Sequence, residues 1–387
     1  MEDGLWGNAQ FSYDQNDQIT RAMPGGTAFP DEQFEYDADL NIRSVLAAEQ
    51  LISQQQQAGR VVRRGDCEYR YDAAGRLTEK RLCRDGWRPQ RWRYRWNALS
   101  QLSGFITPDG ARWRYAYDPF GRRIRKEKLS DSPPATRPVG WEYQWSGDQL
   151  IAETPVYADG TAAYEESIHW LYAPGGLTPL ARQEKGRLHY VVSDHLGTPR
   201  ELLTEQGKRA WAGRLSIWGR CRQWAVAAND ADKLSCNLRF AGQYEDEESG
   251  LHYNRFRYYD TETGQYLTPD PIGLAGGVNP YGYVHNPLSW VDPLGLASWQ
   301  IDGDRTTDIL QGGPFKEKYY KDGKTGLWWS KDTTGHGGAV YKVYRETSTS
   351  LEWIADADEN GQFMPDKHKG NTGKSIPKKC CKGVTVK

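Results

Sequence analysis

The sequence predicts a mainly β protein: a repeat-built antiparallel β-shell, complete or incomplete, and then a small α+β domain with a twisted antiparallel sheet. Three observations carry that expectation. Runs that alternate aromatic and polar residues recur through the first two thirds of the chain. The fuller copies close with Asp-x-x-Gly and a second alternating run, the pattern of strand, tight turn and return strand. The 387 residues also include 16 Trp and 23 Tyr, enough bulky apolar surface to offset the entropy of ordering a polar chain.

The copies begin with Phe11-Ser12-Tyr13-Asp14 ahead of Ile19 and Phe34-Glu35-Tyr36-Asp37 ahead of Ile42. Tyr69-Arg70-Tyr71-Asp72 with Gly75 is clearer, and Trp92-Arg93-Tyr94-Arg95-Trp96-Asn97 leads into Leu102. Trp113-Arg114-Tyr115-Ala116-Tyr117-Asp118 with Gly121 is the fullest, and residues 141–151 give a sixth. Asp accepts local backbone bonds at such a turn, and Gly takes the positive φ of the reversal. One hairpin of this kind is marginal, but a row of them can share one sheet. An ordinary β-sandwich with coincidental Tyr-Asp pairs is the alternative.

Residues 1–60 are poorly defined by pattern, and residues 40–57 carry helix potential that ends in a glutamine run. Residues 131–138, with three prolines, read as a loop. His195, in the Asp194-to-Gly197 turn, reads as a turn histidine with a structural bond rather than a catalyst. Net charge is −1, so no whole-chain electrostatic partner is implied. Cys67 and Cys83 could bridge adjacent strands, although scattered reduced thiols fit the six cysteines better. No signal peptide or membrane-spanning run is recognisable, and no ligand spacing calls for a metal or other cofactor.

The Tyr-Asp repeats resemble those of Rhs/YD-repeat proteins, whose repeats wind into a hollow β-shell. Residues 238–260, 264–274 and 275–287 look like the Rhs core-associated segment, so the resemblance covers roughly residues 60–296. It divides the chain into residues 1–60, a repeat shell at 61–237, a core-associated domain at 238–296 and a C-terminal domain at 297–387. Asp-Pro-x-Gly-Leu occurs twice, led by Asp270 and Asp292. Taken alone these are two Asp-Pro turns, or two carboxylates that cannot both ionise easily in a low-dielectric site. Rhs proteins cut themselves just after the second motif, which implies a scissile bond between Leu296 and Ala297. It also implies an acid pair of Asp270 and Asp292, oriented by Arg255 or Arg257. The resemblance further implies a toxin made in the producer cytoplasm and delivered into a neighbouring bacterium, with a cognate immunity protein. Full-length relatives also meet a secretion apparatus or chaperone; nothing before Tyr69 matches their docking region, so a truncated copy is an alternative.

Beyond the junction, seven lysines fall within residues 366–387, a tail that suits a polyanion. Residues 339–344 and 351–355 alternate as strands, preceded by a short helical segment. RNA cleavage needs a base, an acid and a cation, and His336, Asp332 and Lys342 are the candidates. Trp328, Trp329, Tyr341 and Lys331 are candidate RNA-binding residues, the aromatics for stacking on bases. The bland alternative is a glycine loop with a solvated histidine. The pattern from Trp329 through Asp332, His336 and Lys342 resembles small bacterial RNase toxins of contact-dependent inhibition systems, related to colicins that cut ribosomal RNA. It implies a metal-independent RNase. A DNase or deaminase cargo and a non-enzymatic YD-repeat scaffold are the competing expectations.

Overall fold

The computed structural model describes residues 7–25, 29–130, 136–172, 176–225, 234–273, 277, 279–296, 306–312, 317–322, 327–331, 341–357, 375–378 and 381–384. By contact the chain forms two compact units, Met1–Ser298 and Trp299–Lys387.

In the first unit twenty strands, from Gln10–Tyr13 to Cys221–Ala225, form one meander. Each strand pairs antiparallel with the next in sequence. The repeat explains this order, because each copy makes its own hairpin before the next begins.

The turns share one geometry. Asp72 Oδ1 accepts from Ala74 N at 3.0 Å and Arg76 N at 2.9 Å, and Asp118 does the same for Phe120 and Arg122. Asp14, Asp37, Asn97 and Asp194 repeat the pair of bonds at two and four residues on. The fourth residue always has positive φ, including the non-glycines Asp17 at 60°, Leu40 at 65° and Ser100 at 59°. The side-chain acceptor holds the reversal even where no glycine lowers its strain.

At five of the turns the aromatic residue just before the turn ties its hairpin to the preceding one. Tyr36 donates to Ile19 O, Tyr71 to Val61 O and Tyr117 to Leu102 O, at 2.8–2.9 Å. Trp96 and Trp145 use their indole N–H on Leu77 O and Arg123 O. Four further repeat tyrosines, Tyr69, Tyr94, Tyr115 and Tyr143, point inward and are buried.

Residues 40–57 are strands, not the expected helix. Ile42–Ala47 and Gln50–Gln57 pair through Ala48 and Glu49, whose φ values of 48° and 63° mark a two-residue turn of the type that matches strand twist. Tertiary pairing overrides the local preference here, and Gln54 reaches Thr263 O at 3.2 Å, far away in sequence.

A short four-stranded sheet, Tyr244–Asp246, Leu251–Asn254, Arg257–Asp260 and Gln265–Tyr266, packs on the aromatic face of the meander. Leu251, Tyr253, Tyr258 and Leu267 join Tyr69, Tyr94, Phe105 and Tyr115 in one core. Charges are buried with them. Arg123 forms a two-point ion pair with Asp246, and Lys126 reaches Asp246 at 2.9 Å and Glu248 at 3.0 Å. The Arg123 guanidinium lies 4.5–5.9 Å from the rings of Tyr253, Tyr143, Tyr244, Tyr115 and Tyr258.

The ends of the meander meet through side chains. Ile217 and Trp218 pack with Ile19, Ala22, Phe34, Ile42 and Val45, and Arg214 donates to Pro24 O and Gly25 O. Among the described residues no hydrogen-bonded strand pairing joins the two ends. His195 makes the structural bond expected of it, 2.8 Å from its Nε2 to Leu288 O.

The second unit is a seven-stranded antiparallel sheet in the order 375–377, 350–357, 341–346, 328–331, 317–322, 306–312, 381–384. Tyr319, Trp328, Tyr344, Leu351 and Trp353 form one core of this unit, and Trp329, Val343 and Ala357 another. The short helical segment expected ahead of these strands has no counterpart among the described residues, and Thr306–Gly312 is a strand.

Candidate self-cleavage site

The junction is one more Asp turn. Asp292 Oδ1 accepts from Leu296 N at 2.9 Å, four residues on, and Gly295 between them has φ +70°. Asp270 likewise accepts from Ile272 N at 2.9 Å, ahead of Gly273 at φ +60°. What differs is the remaining carboxylate oxygen. At Asp72 and Asp118 it takes the Nε–H of the arginine four residues on, at 2.8 and 2.7 Å, in a half-buried pair. At the junction it turns into the core and meets Arg257, which comes from the short sheet.

Arg257 Nη2 lies 2.9 Å from Asp270 Oδ2 and 3.3 Å from Asp292 Oδ2, and all three side chains are 2 % exposed. The two motifs, 22 residues apart in sequence, thus converge on one guanidinium nitrogen. Tyr266 donates its hydroxyl to Asp292 Oδ2 at 2.9 Å, and its ring stacks 3.7 Å from the Arg257 guanidinium carbon. Asn254 Nδ2 donates to Tyr266 Oη and to Asp292 O, at 2.7 and 2.8 Å. Burial holds the Asp270 carboxyl above its ordinary range, opposed by Arg257 and reinforced by the nearby Asp292 charge.

One peptide group is held at both of its polar atoms. Arg257 Nε donates to Gly295 O, while the Leu296 N–H of the same peptide donates to Asp292. Leu296 is buried and ends the described stretch; Ala297 lies outside the described residues. The backbone around Pro293 is wedged against Gly242, where an added Cβ would stand 1.9 Å from Pro293 O at a φ of +83°. Only glycine fits that approach.

In the C-terminal unit Asp332 and His336 lie outside the described residues. Lys342 is on the strand Tyr341–Glu346, opposite Ser330 and Asp356, with Nζ 5.5 Å from the Trp353 ring. Lys331 pairs with Tyr341 in the same sheet. Trp328 and Trp329 correct the expectation of stacking surfaces. They are 3 % and 4 % exposed and sit in the two cores of this unit, so neither ring face is open to a base. Trp328 Nε1 instead donates to Glu346 Oε2, which also receives Lys321, while Lys378 meets Oε1. Bonds from Lys378, Lys321 and Trp328 bring the Glu346 carboxyl down to about 2.

A profile of the Teneurin YD-shell family matches residues 7–276. The chain belongs to that family. The match starts near the first strand, so the YD shell takes in the N-terminal strands that pattern left poorly defined. Among curated proteins, this YD-shell chain is 46 % identical over 245 residues to "Probable deoxyribonuclease RhsA" of Dickeya dadantii, covering 62 % of the chain and 16 % of that protein. It is 34 % identical over 315 residues to "Double-stranded DNA deaminase toxin A" of Burkholderia cenocepacia, covering 76 % and 21 %. "Toxin protein Tse5" of Pseudomonas aeruginosa is 34 % identical over 275 residues, covering 61 % and 19 %. The chain therefore spans about a fifth or less of these relatives. A solved TcdB2-TccC3 structure aligns with TM-score 0.47 and 16 % identity over 74 % of the chain and 17 % of its own.

Within the YD shell, the hairpin separates Arg255 from Arg257: Arg257 opens the strand Arg257–Asp260, while Arg255 sits in the turn before it at φ 52°. Arg257 enters the site, whereas Arg255 pairs with Asp148 at 2.9 Å and donates to Phe120 O. Tyr266 and Asn254 were not singled out from sequence. Their one signal was placement in fully buried strands of an otherwise polar segment.

Proposed function

We propose that the chain is the C-terminal part of an Rhs-type polymorphic toxin that cuts itself after Leu296 and so frees an RNase domain. The observation that carries this reading is the single Arg257 guanidinium bridging Asp270 and Asp292 beside the clamped Gly295–Leu296 peptide. The clamp fixes the register of the chain entering the site and leaves the next carbonyl, that of Leu296, as the electrophile. Asp270, whose carboxyl is raised by burial, holds the proton and donates it to the Ala297 nitrogen as the bond breaks. Asp292 takes a proton from the attacking water, whose oxygen joins the Leu296 carbonyl carbon.

Full-length protein purified after expression is expected to run as two fragments, the smaller beginning at Ala297 by mass spectrometry. Asp292→Asn should remain one chain. A fragment beginning at Leu296, or normal cutting in Asp292→Asn, would remove the assignment.

For the released domain, Asp332, His336 and Lys342 act as orienting acid or base, proton-transfer group and phosphate-holding cation on RNA, ribosomal RNA among the candidates. The names of the relatives supply the second reading, a cargo acting on DNA as a nuclease or deaminase. Incubation of the purified chain with RNA and with duplex DNA separates them. RNA fragmentation should fall by about 10²–10⁴-fold in His336→Ala. Intact RNA alongside cut or deaminated DNA would sink the RNase. In this reading the toxin is made in the producer cytoplasm beside an immunity protein and acts inside a neighbouring bacterium.

A further inference from the structure

The two ends of the meander enclose a cavity of about 340 Å³ that the self-cleavage site does not use. Phe11, Phe29, Val192, Ile217, Phe240 and Leu288 supply apolar wall. Volume and lining are those of a small-molecule site.

Most ionisable groups in the wall are already engaged. Asp194 faces Arg200 at 3.9 Å, and Glu201 pairs with Arg209 at 3.3 Å. Arg214 caps the Pro24 and Gly25 carbonyls, and His195 bonds Leu288 O. Glu32 differs. It lines the cavity from the first strands and is 9 % exposed; among the described residues no side chain bonds its carboxyl directly, and the charges of Arg220 and Arg64 act on it without forming an ion pair. From the last strands Ser193 contributes a buried Oγ that is also without a partner. A buried polar atom without a bond, as Ser193 Oγ is, is costly, and both groups accept hydrogen bonds. At bonding distance the counterpart both lack is a donor, and beside a carboxylate a cationic donor binds most strongly.

We propose that this cavity binds a small amphipathic amine, its apolar body on the aromatic wall and its ammonium between the Glu32 carboxylate and Ser193 Oγ. Such a ligand touches both ends of the meander and closes by contact the seam that strand pairing leaves open.

Titration calorimetry on the full chain with 2-phenylethylamine, 2-phenylethanol and 3-phenylpropionate tests this. The amine is expected to bind at least about tenfold more tightly than the alcohol, and the carboxylate more weakly than either. Glu32→Gln should abolish the preference for the amine. Equal binding of amine and alcohol, a preference kept in Glu32→Gln, or no binding of the amine would overturn the proposal. If Glu32→Gln does not fold, Ser193→Ala replaces it, with about fivefold weaker amine binding expected and unchanged binding overturning the site. A lysine side chain carries the same ammonium, and tighter binding of Nα-acetyllysine amide than of 2-phenylethylamine would overturn the free-amine assignment.

Discussion

Asp246→Ala is expected to destabilise the YD-shell unit by about 3–5 kcal/mol, read as a fall in the urea midpoint of the full chain. Asp246 is 0 % exposed and neutralises two cations, Arg123 and Lys126, themselves 1 % and 4 % exposed. With Glu248, the cluster balances two positive and two negative groups. Removing one carboxylate leaves a guanidinium in a cage of tyrosine rings with no counter-ion. The rings soften that cost, since each attracts a cation, but cation–π attraction is worth about 0.5–2 kcal/mol and cannot replace a two-point ion pair. The loss should be largely reversed in Arg123→Met with Asp246→Leu, because Lys126 then keeps Glu248 and the pair is exchanged for apolar bulk. A small loss for Asp246→Ala would mean that water enters the cluster and that the short sheet is held by its aromatic contacts alone.

That cluster also shows what the sequence made legible. The turns could be seen residue by residue, because an Asp side chain reaching two and four residues ahead is a local device. The inward tyrosines were visible too, through alternation. Arg123, Lys126 and Asp246 were not, since nothing local distinguishes a buried charge from a solvated one until its partner more than a hundred residues away is known. The same holds at the junction: both Asp-Pro-x-Gly-Leu motifs could be read, but Arg255 and Arg257 could not be separated before the hairpin turn that holds Arg255 was placed. Trp328 and Trp329 mislead for the opposite reason. Aromatic residues near a basic strand suggest stacking, yet this sheet has two cores and buries both. Residues 40–57 failed because a two-residue turn at Ala48 and Glu49 carries no glycine to announce it.

Arg257→Leu is expected to abolish self-cleavage and to cost the first unit about 3–5 kcal/mol at neutral pH. The guanidinium is the only cation recorded between Asp270 and Asp292 among the described residues, and it also holds Gly295 O and Pro280 O. Without it two buried carboxylates face each other, and their mutual repulsion adds to the burial that already raises Asp270. A carboxyl whose folded-state pKa is raised holds more protons folded than unfolded, from about pH 3.9 up to its folded value. Stability therefore falls as pH rises through that window and stays low above it. Relative to the parent chain, Arg257→Leu should lose less stability at pH 4 than at pH 7, measured by denaturant unfolding at both. Adding Asp270→Asn removes one of the opposed charges and should recover part of the loss at pH 7, but no cutting. An equal loss at both pH values would mean that Arg257 acts through its backbone bonds to Gly295 and Pro280. The carboxylates would then be spectators of the junction fold, and the acid-pair mechanism would lose its basis.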